Sequence, residues 1–150
     1  MKLVQRVLMG LLATALLVVA GIGGPAAQAA APVAPAGIAA FDDQTGEALA
    51  AWDCNTGNVC FWTGFGGTGS RCAWNIADDD WTAGTHKCSW ATTKNVKSVY
   101  NAGTSSATGV AYFKNTGHNT RVGCTKQGKK GDLAGTYQLR SHKWISTSCG

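Results

Sequence analysis

The sequence predicts an all-β domain, and two observations lead to that prediction. The 150 residues include 20 Gly and 6 Trp, while charged residues make up only 14%; a helical bundle would need abundant Glu, Lys, Leu and Ala at helical spacing. Short apolar runs also recur at intervals of about 8 to 12 residues with Gly-rich turns between them, a pattern typical of a β-sandwich. The length suits one compact domain or two very small ones.

The first 30 residues have the order of a secretory signal peptide. Lys2 and Arg6 give a positive start, an apolar run follows from Val7 to Ile22, and the small residues at 27–31 offer an Ala-x-Ala cleavage site. This run is shorter than the ~20 residues that a membrane-spanning helix needs, so we expect cleavage rather than anchoring. The protein is therefore predicted to be secreted and extracellular, with no membrane attachment after cleavage.

Residues 31–51 are rich in Ala and Pro and then acidic, without an apolar period. This composition is typical of a flexible N-terminal extension. The folded domain is therefore predicted to span residues 52–150.

From residue 52 onward, apolar runs and turns alternate. The glycines of residues 64–69 tolerate positive φ and predict a hairpin turn, and the polar residues 77–84 predict a loop. Alternation places Cys60 and Trp62 on one face of the first predicted strand, with Val59 on the other. The predicted strands are 58–62, 71–74, 96–100, 109–113, 120–122, 137–141 and 143–145.

A weak internal repeat relates the two halves of this region. Val59–Trp62 resembles Val110–Phe113 at an offset of 51 residues, and the segments around Ser98 and Ser141 resemble each other. Each half would be an aromatic hairpin, a turn and a later strand with a basic–Ser pair, which is the order of a Greek key used twice. We expect Ser98 and Ser141 to hydrogen-bond back to the hairpin backbone.

The six cysteines predict a disulfide framework, because an even number in a small exported chain favours three bridges. Six cysteines allow 15 pairings, and the sequence alone does not choose among them. Short loops are the least costly to close, which favours sequential pairing. The favoured pairs are Cys54–Cys60, Cys72–Cys88 and Cys124–Cys149.

Charge is divided unevenly along the chain. Between Pro32 and Asp80 there are seven acids and one base, and after Asp80 there are ten bases and one acid, Asp132. A basic half can attract an anionic partner. No block of five like charges occurs, however, so the alternative is that the two halves neutralise each other within one domain.

At these residues a family resemblance appears. The run Cys54–Trp62, then Gly69, Ser98–Asn101 and Ser141–Trp144 resemble the secreted actinobacterial peptidase inhibitor family of the Streptomyces metalloproteinase inhibitor type. The resemblance implies a βγ-crystallin-like Greek-key β-sandwich that inhibits peptidases, metallopeptidases in the type member. The expected partner is an extracellular peptidase, with no nucleic acid involved and the protein a monomer.

The chain departs from that pattern in two places. Crystallin-type hairpins commonly carry an aromatic residue two positions before their Gly, but here Gly67 stands there and Phe65 lies two residues earlier. The segment 93–98 matches the calcium-binding position of crystallin relatives but lacks its acidic pair. We therefore expect no metal and no cofactor, and we interpret Asp78–Asp80 as a solvated loop rather than a calcium site.

The resemblance also suggests an inhibitory element. The type member's reactive bond follows a Cys in a basic-Val-x-Cys context, which Arg121, Val122 and Cys124 match here. The bond would be Cys124–Thr125, on an exposed loop over residues 118–131. The type member's second Cys, five residues on, is replaced by Lys129. A purely structural role for Cys124 is the alternative.

Other function classes fit less well. No Gly-x-Ser-x-Gly motif occurs, so a hydrolase triad is not indicated. The only Glu lies in the predicted extension, so the carboxylate pair of a glycosidase is not indicated either. No catalytic residue is therefore expected. The six Trp could form a sugar-stacking face, but most are expected in the core. His142 is expected on the strand surface. The alternative function is a secreted antimicrobial or cell-envelope and carbohydrate-binding crystallin-like module.

Overall fold

The computed structural model describes residues 37–150, and every regular element in this range is a β-strand. The predicted leader, residues 1–30, and the first part of the predicted extension, residues 31–36, lie outside the described residues. No helix within residues 37–150 is long and apolar enough to cross a membrane. The strands are β1 (Ala40–Asp42), β2 (Ala48–Leu49), β3 (Val59–Trp62), β4 (Gly69–Trp74), β5 (Val96–Asn101), β6 (Gly109–Phe113), β7 (Arg121–Lys126), β8 (Lys130–Tyr137) and β9 (Ser141–Ile145).

These strands form two sheets, which confirms the predicted fold class. One sheet has the order β2-β1-β4-β3-β5-β8 and the other β7-β6-β9. Each half of the chain contributes to both sheets, since β8 pairs with β5 and Asp78 forms a bridge with His142 of β9. The first Greek key is β3, β4, the Asp78 segment and β5, and the second is β6 to β9. This is a βγ-crystallin-like arrangement.

Phe61 lies in the centre of the core between the sheets. Its ring centroid is 4.8 Å from that of Trp81, and Val59 packs in the same cluster. Cys60 and Trp62 face the opposite way into a second cluster, so the predicted alternation along β3 is confirmed. Most of the tryptophans are core residues, as expected: Trp62, Trp74, Trp81 and Trp90 are buried, and Trp52 and Trp144 are partly buried.

The predicted serine ties are present in both Greek keys. In the first, the buried Ser98 hydroxyl donates to the carbonyl of Gly64 (2.7 Å) and accepts from the amide of Gly67 (3.0 Å). One side chain thereby pairs both a donor and an acceptor of the β3–β4 hairpin. The hairpin is held against β5 as a result.

Ser141 does the same in the second Greek key. Its hydroxyl donates to the carbonyl of Asn115 (2.6 Å) and accepts from the amide of His118 (3.1 Å). Both partners lie 51 residues after their counterparts in the first hairpin. The internal repeat is therefore a structural repeat.

Backbone angles of the two hairpins repeat as well. Gly67 and Gly69 have φ of 72° and 80°, and the matching His118 and Thr120 have φ of 59° and 60°. Left-handed φ is unfavourable for a residue with a Cβ atom and for a β-branched residue in particular. The second hairpin nevertheless keeps the same conformation without glycine at these two positions.

Three disulfides join the pairs that the sequence analysis favoured. They are Cys54–Cys60, Cys72–Cys88 and Cys124–Cys149, and no described cysteine is free. The first lies beside the β3 strand, the second ties β4 to the loop before β5, and the third ties β7 to the C-terminal residues.

The structure differs from the sequence prediction at the N-terminal end. The predicted flexible extension contributes β1 and β2, so the sheet begins at Ala40. Arg71 of β4 donates two hydrogen bonds, of 2.7 and 3.2 Å, to the carboxylate of Asp42. The carboxylate of Asp43 accepts bonds of 2.6 Å from the amide and hydroxyl of Ser89. These acids are partners of the folded domain rather than residues of a tail.

The predicted strand at 137–141 is also wrong. β8 ends at Tyr137, β9 begins at Ser141, and residues 138–140 connect them. Leu139 in this connection is fully buried in the core. Because Leu139 is a core residue in a connection, its apolar side chain between polar neighbours gives the alternating pattern of a strand.

Trp52 occupies the space that the missing hairpin aromatic would fill. Its amide donates to the carbonyl of Gly67 (3.1 Å), and its ring packs edge-on against Trp62 with centroids 5.6 Å apart. A Cβ atom at Gly67 would lie 2.5 Å from the Trp52 nitrogen and 2.6 Å from its indole ring. Gly67 is therefore required both by its positive φ and by this close approach.

We predict that Gly67→Ala lowers the free energy of unfolding by about 3 kcal/mol, because it combines a strained φ with overpacking against Trp52. Gly66→Ala is the matched control: Gly66 has φ of 67° but no atom within 4 Å of an added Cβ. This control should cost only about 1 kcal/mol. Urea unfolding of both variants measures the difference, and equal losses would show that the Trp52 contact carries no weight.

Candidate functional site

All four predicted inhibitory residues lie on one strand. Arg121, Val122, Cys124 and Thr125 belong to β7 at the edge of the three-stranded sheet. The predicted exposed loop over 118–131 is therefore corrected to the end of a hairpin, the strand β7, a short turn and the start of β8. The structure brings the predicted residues together, but in a hydrogen-bonded strand.

One side of β7 is paired and the other is open. Thr125 lies opposite Val110 and Gly123 opposite Tyr112. The amide of Gln127 donates to the carbonyl of Thr108, the residue before β6 (3.2 Å). In an antiparallel ladder, alternate residues direct N–H and C=O away from the partner strand. Cys124 is such a residue. Among residues 37–150 no strand pairs with this outer edge of β7.

The equivalent strand of the first Greek key is covered. β1 runs parallel to the outer edge of β4: the amide of Gly69 donates to the carbonyl of Ala39 (2.9 Å), and the amide of Asp43 donates to the carbonyl of Arg71 (2.8 Å). The 51-residue repeat places Cys124 of β7 where β4 has Ala73. Two related strands thus differ in one respect, the closed edge of β4 and the open edge of β7.

Several contacts hold β7 in its extended form. The buried Asn101 side chain of β5 donates to the carbonyl of Thr125 (2.9 Å). The Arg121 guanidinium donates to the carbonyl of Cys149 (2.8 Å), next to the disulfide that joins Cys149 to Cys124. This disulfide packs on Gly109, where a Cβ atom would lie 2.5 Å from the Cys149 sulfur.

A groove of about 540 Å³ runs between β7 and β8 beside this edge. Apolar side chains of Val122 and Leu133 lie on its floor with the ring of Tyr112. Burial raises the pKa of Tyr112, although a hydrogen bond with Thr125 acts in the opposite direction. The phenol is therefore neutral at physiological pH. The charged side chains of the groove are Lys126, Lys129, Lys130 and Asp132.

The predicted acidic loop has structural partners. The Asp80 carboxylate accepts from Arg140 (2.8 Å) and Thr82 (2.7 Å), and these hydrogen bonds lower the pKa of Asp80 to about 2. Asp78 bonds to the amide of Asp80 and pairs with β9. The acids at 78 and 80 therefore hold the first Greek key to the second.

Elsewhere in the described range, Asp43 approaches the sulfurs of Cys72 and Cys88. Those sulfurs are bonded to each other and so are not thiolate ligands. The carboxylate is already bonded to Ser89. This group is not a metal-ligand set.

His142 was expected on the surface and is instead fully buried. Its Nδ1 accepts from the Trp81 indole (2.9 Å), and its Nε2 donates to the carbonyl of Ile76 (2.9 Å). Burial lowers the pKa of His142 to about 3, so the ring is neutral. The sequence holds no local signal for this role, because its partners lie more than 60 residues upstream.

Comparison with known proteins identifies one family. The family model described as peptidase inhibitor family I36 matches residues 47–125, which is more than half of the chain and ends within β7. No curated protein and no solved structure shows significant similarity to the chain.

Because His142 is buried in its neutral form, the free energy of unfolding is expected to fall as the pH falls. Its pKa is lower in the folded chain than the unfolded value of 6.5, so the unfolded state binds more protons as the pH falls from 6.5 toward 3. We expect the free energy of unfolding to drop by about 3 kcal/mol between pH 7 and pH 4 from this residue.

His142→Gln is the control, since Gln can replace both hydrogen bonds without titrating, while His86 and His118 remain in both proteins. Urea unfolding at a series of pH values should show a shallower acid dependence for the variant. The same dependence in both proteins would contradict the assignment.

Proposed function

Since the chain belongs to peptidase inhibitor family I36, we propose that it is secreted and inhibits an extracellular metallopeptidase by placing the outer edge of β7 in the substrate cleft. The protein is an inhibitor and not an enzyme. Metallopeptidase inhibition is the activity associated with the family. The observation that supports this surface is the contrast between two equivalent strands: the outer edge of β7 is open, whereas the outer edge of β4 is covered by β1.

An open strand edge suits a peptidase cleft for a simple reason. An extended peptide binds another protein by adding a strand, with main-chain hydrogen bonds giving affinity and side chains giving specificity. The backbone of Cys124 offers a free N–H and a free C=O in this conformation. The covered edge of β4 shows how an added strand engages the equivalent position in this fold.

Rigidity favours inhibition over rapid cleavage. A flexible substrate loses conformational freedom when it binds, whereas β7 is already held by β6, by Asn101 and by the disulfide of Cys124. Preorganisation of this kind raises affinity because less conformational entropy is lost on binding. The same contacts would keep the cleaved ends in place.

We propose that the reactive bond is Cys124–Thr125, the position that the family resemblance implies. The disulfide joins Cys124, on the N-terminal side of this bond, to Cys149, on its C-terminal side. A cut at this point would therefore leave two chains that are still covalently joined. Secretion fits the three disulfides, which persist in oxidising compartments, and we take the protein to act as a monomer.

The first test changes the residue that follows the proposed bond. Thr125→Asp places a charge where the interface would be desolvated, and we expect its inhibition constant to rise by at least about 30-fold. Thr125→Val keeps the shape and should stay within a few-fold of the unchanged protein. Thr92→Asp adds the same charge at an exposed threonine of another surface and should have no effect.

Inhibition is measured against thermolysin-like, subtilisin-like and trypsin-like peptidases, with melting temperatures to confirm folding. Inhibition of the thermolysin-like class alone is expected. A folded Thr125→Asp variant that inhibits as well as the unchanged protein would refute the β7 assignment. Failure of the unchanged protein to inhibit any metallopeptidase at stoichiometric amounts would refute the inhibitory function itself.

A second test measures hydrolysis of the proposed reactive bond. Prolonged incubation with a target metallopeptidase should hydrolyse Cys124–Thr125 slowly, with the addition of one water. Mass spectrometry should find one joined species without reductant and two fragments after reduction, since Cys124–Cys149 holds them together. A first cut elsewhere in the described domain would place the reactive bond outside β7.

A further inference from the structure

Trp52 leaves Phe65 without a structural role in its own hairpin. The ring of Trp52 covers Gly67, where crystallin-type hairpins carry their aromatic residue. The ring of Phe65 is 53% exposed and pairs with no aromatic ring among residues 37–150. Its close charged neighbour is Lys97, whose ammonium lies 5.3 Å from the ring centroid.

The hairpin that carries Phe65 is rigid. The Gly64 amide donates to the carbonyl of Thr68 (2.8 Å), and the Thr68 hydroxyl donates to the carbonyl of Phe65 itself (2.8 Å). Ser98 holds the base of the same turn. An exposed aromatic on a rigid turn loses little freedom on binding, as the anchors of many interfaces do.

This turn lies against the wall of the β7–β8 groove. The amide of Gly66 donates to the carboxylate of Asp132 (2.7 Å), and Asp132 lines the groove from β8. Phe65 is therefore connected to the groove through its chain neighbour Gly66 and the carboxylate of Asp132. Asp132 lies opposite Ser98, on the face of the sheet turned away from Val99 of the groove, so the hairpin and the open edge of β7 lie on the two sides of the β8 edge.

A strand of six residues is too small to form a stable interface alone. Stable protein–protein interfaces use about 20 to 30 residues on each side, and a few buried aromatic or Arg residues supply most of the binding energy. The contact must extend beyond β7. Among the large exposed apolar residues of 37–150, Phe65 is the one whose chain neighbour, Gly66, is hydrogen-bonded to a residue that lines the groove.

We propose that Phe65 is a second anchor of the inhibitor, which enters an apolar pocket beside the substrate cleft of the peptidase while β7 occupies the cleft. This inference rests on the proposed function. The ammonium of Lys97 over the ring favours a pocket with acidic side chains at its rim. Phe65 thereby helps to select among metallopeptidases that share the same cleft chemistry.

Phe65→Ala tests the anchor. We expect its inhibition constant to rise by about 10- to 100-fold, with an unchanged melting temperature because the ring is exposed. Phe41→Ala is the matched control, since Phe41 is 54% exposed but lies on β1, on the far side of β4 from β8. Its inhibition constant should not change. Phe65→Leu, which keeps an apolar side chain, should lose less than Phe65→Ala.

The outcomes separate the two proposals. If the unchanged protein inhibits and Phe65→Ala inhibits equally well against every susceptible metallopeptidase, the anchor is refuted and the inhibitory function stands. Equal losses in Phe65→Ala and Phe41→Ala would also refute the anchor. If the unchanged protein inhibits no metallopeptidase, the inhibitory function fails and the anchor fails with it.

Discussion

The architecture depends on two buried serine hydroxyls. Ser98 and Ser141 each pair one carbonyl and one amide of a folded hairpin. Buried backbone groups without partners would cost about 1–3 kcal/mol each, so each hydroxyl makes the folded-back hairpin possible. The hairpin in turn sets where β4 and β7 begin, and hence which edges the two sheets present. The surface proposed for peptidase binding follows from this arrangement.

The two halves share a fold but not their outer edges, and one pair of positions contributes to the difference. Arg71 of β4 forms a buried ion pair with Asp42 of β1. Burial alone would raise the pKa of Asp42, but its hydrogen bonds with Arg71 and Thr45 outweigh this and lower it. The repeat places Val122 at the position of Arg71. Valine cannot form such a pair, so β7 lacks the side-chain contact with which β4 holds β1.

The sequence allows prediction of those features that depend on residues close to each other in the chain or on the internal repeat. Alternation along β3, the serine ties and the favoured cysteine pairs involve local spacing or a repeat, and all appear in the structure. β1 escaped prediction because a three-residue strand is too short to show a period and pairs with a strand far along the chain. β7 and β8 resemble a loop because edge strands exposed to water carry polar side chains. The burial of His142 depends on the distant Asp78 segment.

An open edge also carries a risk, which the charges around β7 reduce. Unpaired strand edges invite pairing between copies of the same chain, and proteins often prevent it with charged side chains at the edge. Arg121 and Lys126 are exposed at the two ends of β7, and Lys129 and Lys130 lie close by in the groove. Two such edges brought together would place like charges near each other. A peptidase cleft with acidic side chains would meet the same cations favourably. The charges that discourage self-pairing therefore leave the edge available to a partner of opposite sign.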